Sequence, residues 1–98
     1  MDELNECCQN NLIRFVKASW LAFPEETKIA FKTLAKATSP MTVISLTFET
    51  KKDRQKTNTS LAALEALQLI SFTQSGQAKL YQITDFGSDF AENVLKII

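Results

Sequence analysis

The side chains best equipped for specific chemistry lie in one run, Lys51-Lys52-Asp53-Arg54-Gln55-Lys56-Thr57-Asn58-Thr59-Ser60. It holds four of the chain's 11 basic residues against one of its 11 acidic ones, so the rest of the chain is net acidic. A formal net charge of zero argues against a protein whose main work is coating nucleic acid non-specifically. The asymmetry fits a basic recognition surface on an acidic scaffold; a solvated polar loop would carry the same residues.

Other chemistries lack their residues. There is no histidine, no glycine-rich phosphate loop and no serine in a nucleophile-elbow context, and the carboxylates sit at helix starts, where capping accounts for them. Catalysis is not expected. The two cysteines, Cys7 and Cys8, are neighbours, a spacing that rarely closes a disulfide. Without histidine or a third cysteine one chain cannot assemble the usual zinc site, so neither metal nor cofactor is expected. Glu3 and Glu6 would raise the thiol pKa values, which argues against redox sensing.

At 98 residues, 45% hydrophobic and 22% charged, the composition is that of a single globular domain, 1–98. No run of about 18 apolar residues is present, and the acidic start is unlike a secretory signal, so the expected location is the cytoplasm with no membrane contact.

The run must be positioned by the elements around it. From residue 2 to about 23, Leu4, Cys8, Leu12, Phe15, Val16 and Trp20 recur in threes and fours, which predicts a long amphipathic helix. Pro24-Glu25-Glu26 reads as the first turn of a second helix, with Ile29, Ala30, Leu34 and Ala37 on its buried face. Ser39-Pro40 repeats that grammar and predicts a third helix from there, although Thr42–Phe48 alternates well enough to suit a strand. Asp53 is placed to cap a fourth helix reaching about Gln68, burying Leu61, Leu64 and Leu67. Leu69–Thr73 and Lys79–Thr84, separated by Gln74-Ser75-Gly76-Gln77, read as a β-hairpin. A last helix starts near Asp85 and offers Phe86, Phe90 and Val94 for packing.

The stretch Leu46 to Gly87, roughly half of the chain, resembles the winged helix-turn-helix superfamily of transcription regulators, most nearly its MarR-like branch. The resemblance rests on Leu46 with Leu61 fifteen residues on, the Leu64-Glu65 pair, the Leu69-Ile70 exit, and Tyr81-Gln82-Ile83-Thr84-Asp85-Phe86-Gly87 at the hairpin's return. It implies a mainly α fold with a small β-hairpin: a winged-helix core (25–84) with an added long N-terminal helix (1–23) and a C-terminal helix (85–98). Two departures stand out. Lys51-Lys52 occupies a turn where the family carries a glycine and an apolar residue. Gln68 stands where a glycine precedes Leu69-Ile70, so a left-handed glutamine is expected, at roughly 1 kcal/mol.

The resemblance further implies sequence-dependent binding of double-stranded DNA. Gln55, Lys56, Asn58 and Thr59 would point at the major groove, flanked by Thr57 and Ser60. Gln55 and Asn58 can make paired hydrogen bonds to adenine, and Lys56 can read guanine or hold a phosphate. Lys51, Lys52 and Arg54 would grip the backbone, and Gln77 and Lys79 would approach the minor groove or its phosphates. It also implies a homodimer, here through Leu4, Cys8, Leu12, Phe15 and Trp20 with Phe90 and Val94. Neutral charge and the lack of an arginine on the exposed helix face leave an alternative, a winged-helix module used for protein contacts.

Overall fold

Two threonines, one aspartate and a proline set where the helices begin. The computed structural model describes residues 2–96, with side chains from residue 12. Helix α1 spans Asp2–Ala22, α2 Glu25–Lys36, α3 Val43–Thr50 and α4 Arg54–Ala66; strands β1 (Ile70–Ser75) and β2 (Ala78–Ile83) follow, then α5 (Asp85–Asp89). Pro24 opens α2, with Glu25 and Glu26 in its first turn. Proline lacks the N–H that a helix start leaves unpaired, and the two carboxylates meet the positive end of the dipole.

The stretch that suited helix or strand is helical, but α3 starts at Val43 rather than beside Pro40. Met41 is drawn away, since its N–H donates to the Tyr81 carbonyl at 2.8 Å and its carbonyl accepts from the Tyr81 N–H at 2.7 Å. Thr42 then caps the helix by accepting from the Ser45 N–H at 3.1 Å. On a helix the alternating Ile44, Leu46 and Phe48 cannot share a face. Leu46 is buried, while Ile44 and Phe48 are 70% and 81% exposed.

Lys51 ends α3 in the left-handed conformation, φ 57°. Asp53 restarts the chain by accepting from the Lys56 N–H at 2.7 Å. Helix α4 buries Thr57, Ser60, Leu61 and Leu64, with Leu67 half-buried. Its exit is a Schellman turn: Gln68, at φ 61°, donates to the Glu65 carbonyl, and the Leu69 N–H to that of Leu64. The left-handed glutamine expected from the missing glycine is present.

The hairpin pairs Ile70 with Ile83, Phe72 with Tyr81 and Ser75 with Ala78. That register leaves a two-residue loop, Gly76-Gln77, in which only Gly76 has a positive φ (+63°). This is the pattern of a type II′ turn, whose twist matches that of the strands. Thr84, rather than Asp85, caps α5 by accepting from the Gly87 N–H at 2.9 Å. The same hydroxyl donates to the Gln68 carbonyl at 2.7 Å, and the Thr84 N–H donates to that of Leu69 at 3.1 Å. A Cβ on Gly87 would stand 2.0 Å from the Leu69 oxygen. Beyond Asp89 the helix widens into a π-helical turn, Phe90–Val94, with the Leu95 N–H reaching the Phe90 carbonyl.

The core lies where α1, α2 and the C-terminal helix converge and continues under α3 and α4. Trp20 meets Phe31 and Phe90 edge to face, at centroid distances of 5.2 and 6.3 Å. Leu46, Leu61, Leu64, Leu69 and Ile70 belong to the same core, with Val16 and Leu34. Two residues expected at a dimer surface are therefore inside their own chain, Trp20 being 6% and Phe90 1% exposed. The apolar stripe of α1 is wider than one contact needs, and the aromatic end of it is used here.

Replacing Gly87 by alanine should destabilise the fold by about 2–3 kcal/mol, because the obstacle is a hydrogen-bonded backbone oxygen that cannot swing aside. Urea unfolding of Gly87→Ala should show a lower midpoint; an unchanged midpoint would refute the close approach.

Candidate nucleic-acid interface

Helix α4 is oriented by what it buries. With Thr57, Ser60, Leu61 and Leu64 inward, a turn of about 100° per residue puts Gln55, Thr59, Ala62 and Ala66 on the opposite face. Asn58 and Arg54 flank that face on one side and Lys56 on the other, and all seven are exposed. Two bonds hold the orientation. The Ser60 hydroxyl meets that of Thr27 at 3.0 Å within the α2–α4 contact, and the Thr57 hydroxyl donates to the Asp53 carbonyl at 2.9 Å. Thr57 is thus not a surface residue, as expected from its neighbours, but 3% exposed and turned back on its own helix.

The five polar ones among these exposed side chains fall beside two clefts. In the first, of about 350 Å³, Arg54 and Asn58 line one wall, Gln77 and Lys79 of the hairpin another, and Thr42, Val43 and Ile44 the third, with Tyr81 below. Four residues singled out on two separate sequence segments are brought together here. In the second, of about 310 Å³, Gln55, Lys56 and Thr59 lie beside Pro24 and Glu26 at the head of α2. Lys51 and Lys52 line neither cleft; they sit in the α3–α4 turn, Lys51 exposed and Lys52 half-buried.

Lys79 does not hang free. Its Nζ stands 4.4 Å over the Phe72 ring, a cation–π contact that aims the ammonium along the hairpin. The Thr59 hydroxyl donates to the Gln55 carbonyl at 2.9 Å, so it faces outward as an acceptor. The part played by Thr42–Ile44 in the first cleft was not legible in sequence, because it depends on Met41 pairing with Tyr81 some forty residues away.

For the dimer surface, Leu12 and Phe15 are 52% and 61% exposed, and Leu21 is exposed on another side of α1. Val94 is half-buried against the core. The side chains of Leu4, Cys7 and Cys8 lie outside the described residues, as do the terminal Ile97 and Ile98. Among the described residues no cluster of Cys, Asp or Glu is placed to hold a metal ion, and no helix is long and apolar enough to cross a membrane.

No protein-family model matches the chain, and no curated protein matches its sequence. Solved structures do resemble it. Reduced HlyU from Vibrio cholerae is 17% identical, with 92% of each chain covered and a TM-score of 0.70. MepR from S. aureus, solved as a DNA complex, is 16% identical over 97% of this chain and 82% of its own, with a TM-score of 0.68. The Mycobacterium bovis protein Mb0332 gives the same coverages and TM-score at 15% identity. Its structure is a homodimeric winged helix-turn-helix DNA-binding domain, of a possible ArsR-family transcriptional regulator. The fold of this chain is the winged helix-turn-helix, with α3–α4 as the helix-turn-helix and β1–β2 as the wing.

Tyr81, under the first cleft, is the chain's one tyrosine, and its hydroxyl is held above the ordinary value of 10.0 by burial and, secondarily, by the charge of Glu65. The native state favours neutral Tyr81. Its contribution is therefore complete below the unfolded value and is lost as pH rises through the higher native one. Absorbance of tyrosinate should titrate later in native than in urea-unfolded protein; coincident curves would contradict the burial.

Proposed function

We propose that this chain binds double-stranded DNA in a sequence-dependent way, as a homodimeric transcription regulator of the cytoplasm and not as an enzyme. The observation that carries it is the convergence of Arg54, Asn58, Gln77 and Lys79 on one cleft between the head of α4 and the hairpin. A helix of 13 residues is about 20 Å long and fits a major groove about 12 Å wide. With its apolar side against α2, it presents Gln55, Asn58 and Thr59 outward. The two amides suit adenine, whose N6 and N7 take one donor and one acceptor, and Lys56 suits guanine or a phosphate. Arg54, Lys51 and Lys52 grip phosphates at the helix head, and Gln77 and Lys79 on the wing meet the neighbouring backbone or minor groove.

In this reading residues 1–98 form one winged-helix domain, and the exposed Leu12 and Phe15 of α1 meet the same residues of a second copy. Similarity to MepR, solved with DNA, and to the homodimeric Mb0332 domain supports both parts. Neutral overall charge supports a different use of the same fold, contact with another protein. The local charge favours DNA, because four cations around one helix start match a row of phosphates.

Anisotropy titrations with mixed genomic duplex at two salt concentrations separate the two. Binding should be present at low salt and fall steeply as salt rises, and changing Lys51, Lys52 and Lys56 to glutamate should abolish it. Loss of a single phosphate contact should flatten the slope of log K against log salt by about 0.9. On selected duplexes Asn58→Ala should cost about 1–3 kcal/mol at one base position and little elsewhere. Absence of binding at low salt, or indifference to the glutamates, would leave the protein-contact use standing.

A further inference from the structure

Ile44 and Phe48 contribute neither to the core nor to the polar set proposed to meet DNA. They are one helical turn apart on α3, 70% and 81% exposed, and are the two most exposed large apolar side chains among the described residues. Inward packing of α3 is supplied by Leu46, so neither residue is needed for the core. In a helix-turn-helix the first helix crosses the phosphate backbone, which offers charge and no apolar surface. Burying a phenyl ring there would gain little.

The surroundings of the pair say what it fits. Ile44 lines the same cleft as Arg54 and Lys79. At the other end, Lys51 and Lys52 follow Phe48 within one turn of chain. The nearest acid on the helix, Glu49, lies about 100° round the axis from Phe48. The strip thus has two cations across the cleft at its Ile44 end, and at its Phe48 end the chain continues into two lysines followed by Asp53.

We propose that the outward face of α3, built on Ile44 and Phe48 with Arg54, Lys79, Lys51 and Lys52 nearby, docks an acidic amphipathic helical segment of a partner protein. Large apolar residues at helical spacing on that segment cover Ile44 and Phe48, and its flanking carboxylates meet the cations. A duplex satisfies the cations alone. A neutral apolar segment satisfies the strip alone. The proposal does not rest on the DNA reading, since the exposed pair and the nearby cations stand whether or not duplex binds.

The test is selection of random displayed peptides on the immobilised full chain, with the double variant Ile44→Ser/Phe48→Ser as counter-target. Enriched peptides are then synthesised and titrated by anisotropy. They should be acidic, with large apolar residues three or four apart, and Phe48→Ser should weaken them about tenfold or more. Lys51→Glu with Lys52→Glu should weaken them similarly. Leu21→Ser, which removes another well-exposed apolar side chain, from α1, should leave them unchanged. Melting of Phe48→Ser should stay within about 2 °C of the parent, since the side chain has little packing to lose. The proposal falls if no peptide is enriched, if the peptides are not acidic, or if Leu21→Ser matters as much as Phe48→Ser. It falls too if Phe48→Ser weakens duplex binding as strongly as peptide binding, for the face would then belong to DNA.

Discussion

Three elements of this fold meet at the carbonyl group of Leu69. Gly87 approaches it so closely that no other residue's Cβ would fit, and the Thr84 N–H donates to it. The Thr84 hydroxyl bonds the adjacent Gln68 carbonyl and caps α5 as well. The end of α4, the root of the hairpin and the start of α5 are thereby closed on one point. What the wing can reach relative to α4 is set here. The strands depart from this point in a fixed register, and Gly76, seven residues after Leu69, turns them back. Loosening it would free the hairpin that brings Gln77 and Lys79 to the cleft.

The other fixed relation is between α2 and α4. Both bury a hydroxyl at their crossing, Thr27 and Ser60, and a buried polar pair has one favourable register where an apolar contact has several. Rotation of α4 about its axis would leave two hydroxyls unpaired, at a cost of about 1–3 kcal/mol each. The polar face of α4 is outward because the inner one is chemically committed. Aromatic packing among Trp20, Phe31 and Phe90 ties α1 and the C-terminal helix to the same α2.

Much of this was legible one residue at a time, where the cause is local. Asp53 capping α4 and the hairpin around Gly76 each follow from side-chain chemistry within a few positions, and the left-handed Gln68 from the glycine that the resemblance puts at its place. The features that were not legible depend on distant partners. Val43, not Pro40, starts α3 because Met41 is claimed by Tyr81. Trp20 and Phe90 belong to one stripe with Leu12 and Phe15 in sequence, yet only packing shows which members lie inside. Thr57 stands among outward-facing polar residues, and only the packing of α4 against the rest of the fold shows that it lies inside. The site divides the same way. Its α4 members were read from the run itself, whereas their meeting with Gln77 and Lys79 required the folded hairpin.

The left-handed Lys51 carries a last implication. A lysine in that conformation is strained by about 1 kcal/mol relative to glycine. Glycine there would relieve the strain, yet its greater freedom in the unfolded chain would return about 0.5–1 kcal/mol of that gain. The two nearly cancel. Folding stability is therefore almost indifferent to which residue turns the corner between α3 and α4, and the position is left open to be settled by charge. A cation can be kept at the entrance to α4 at almost no expense to the fold.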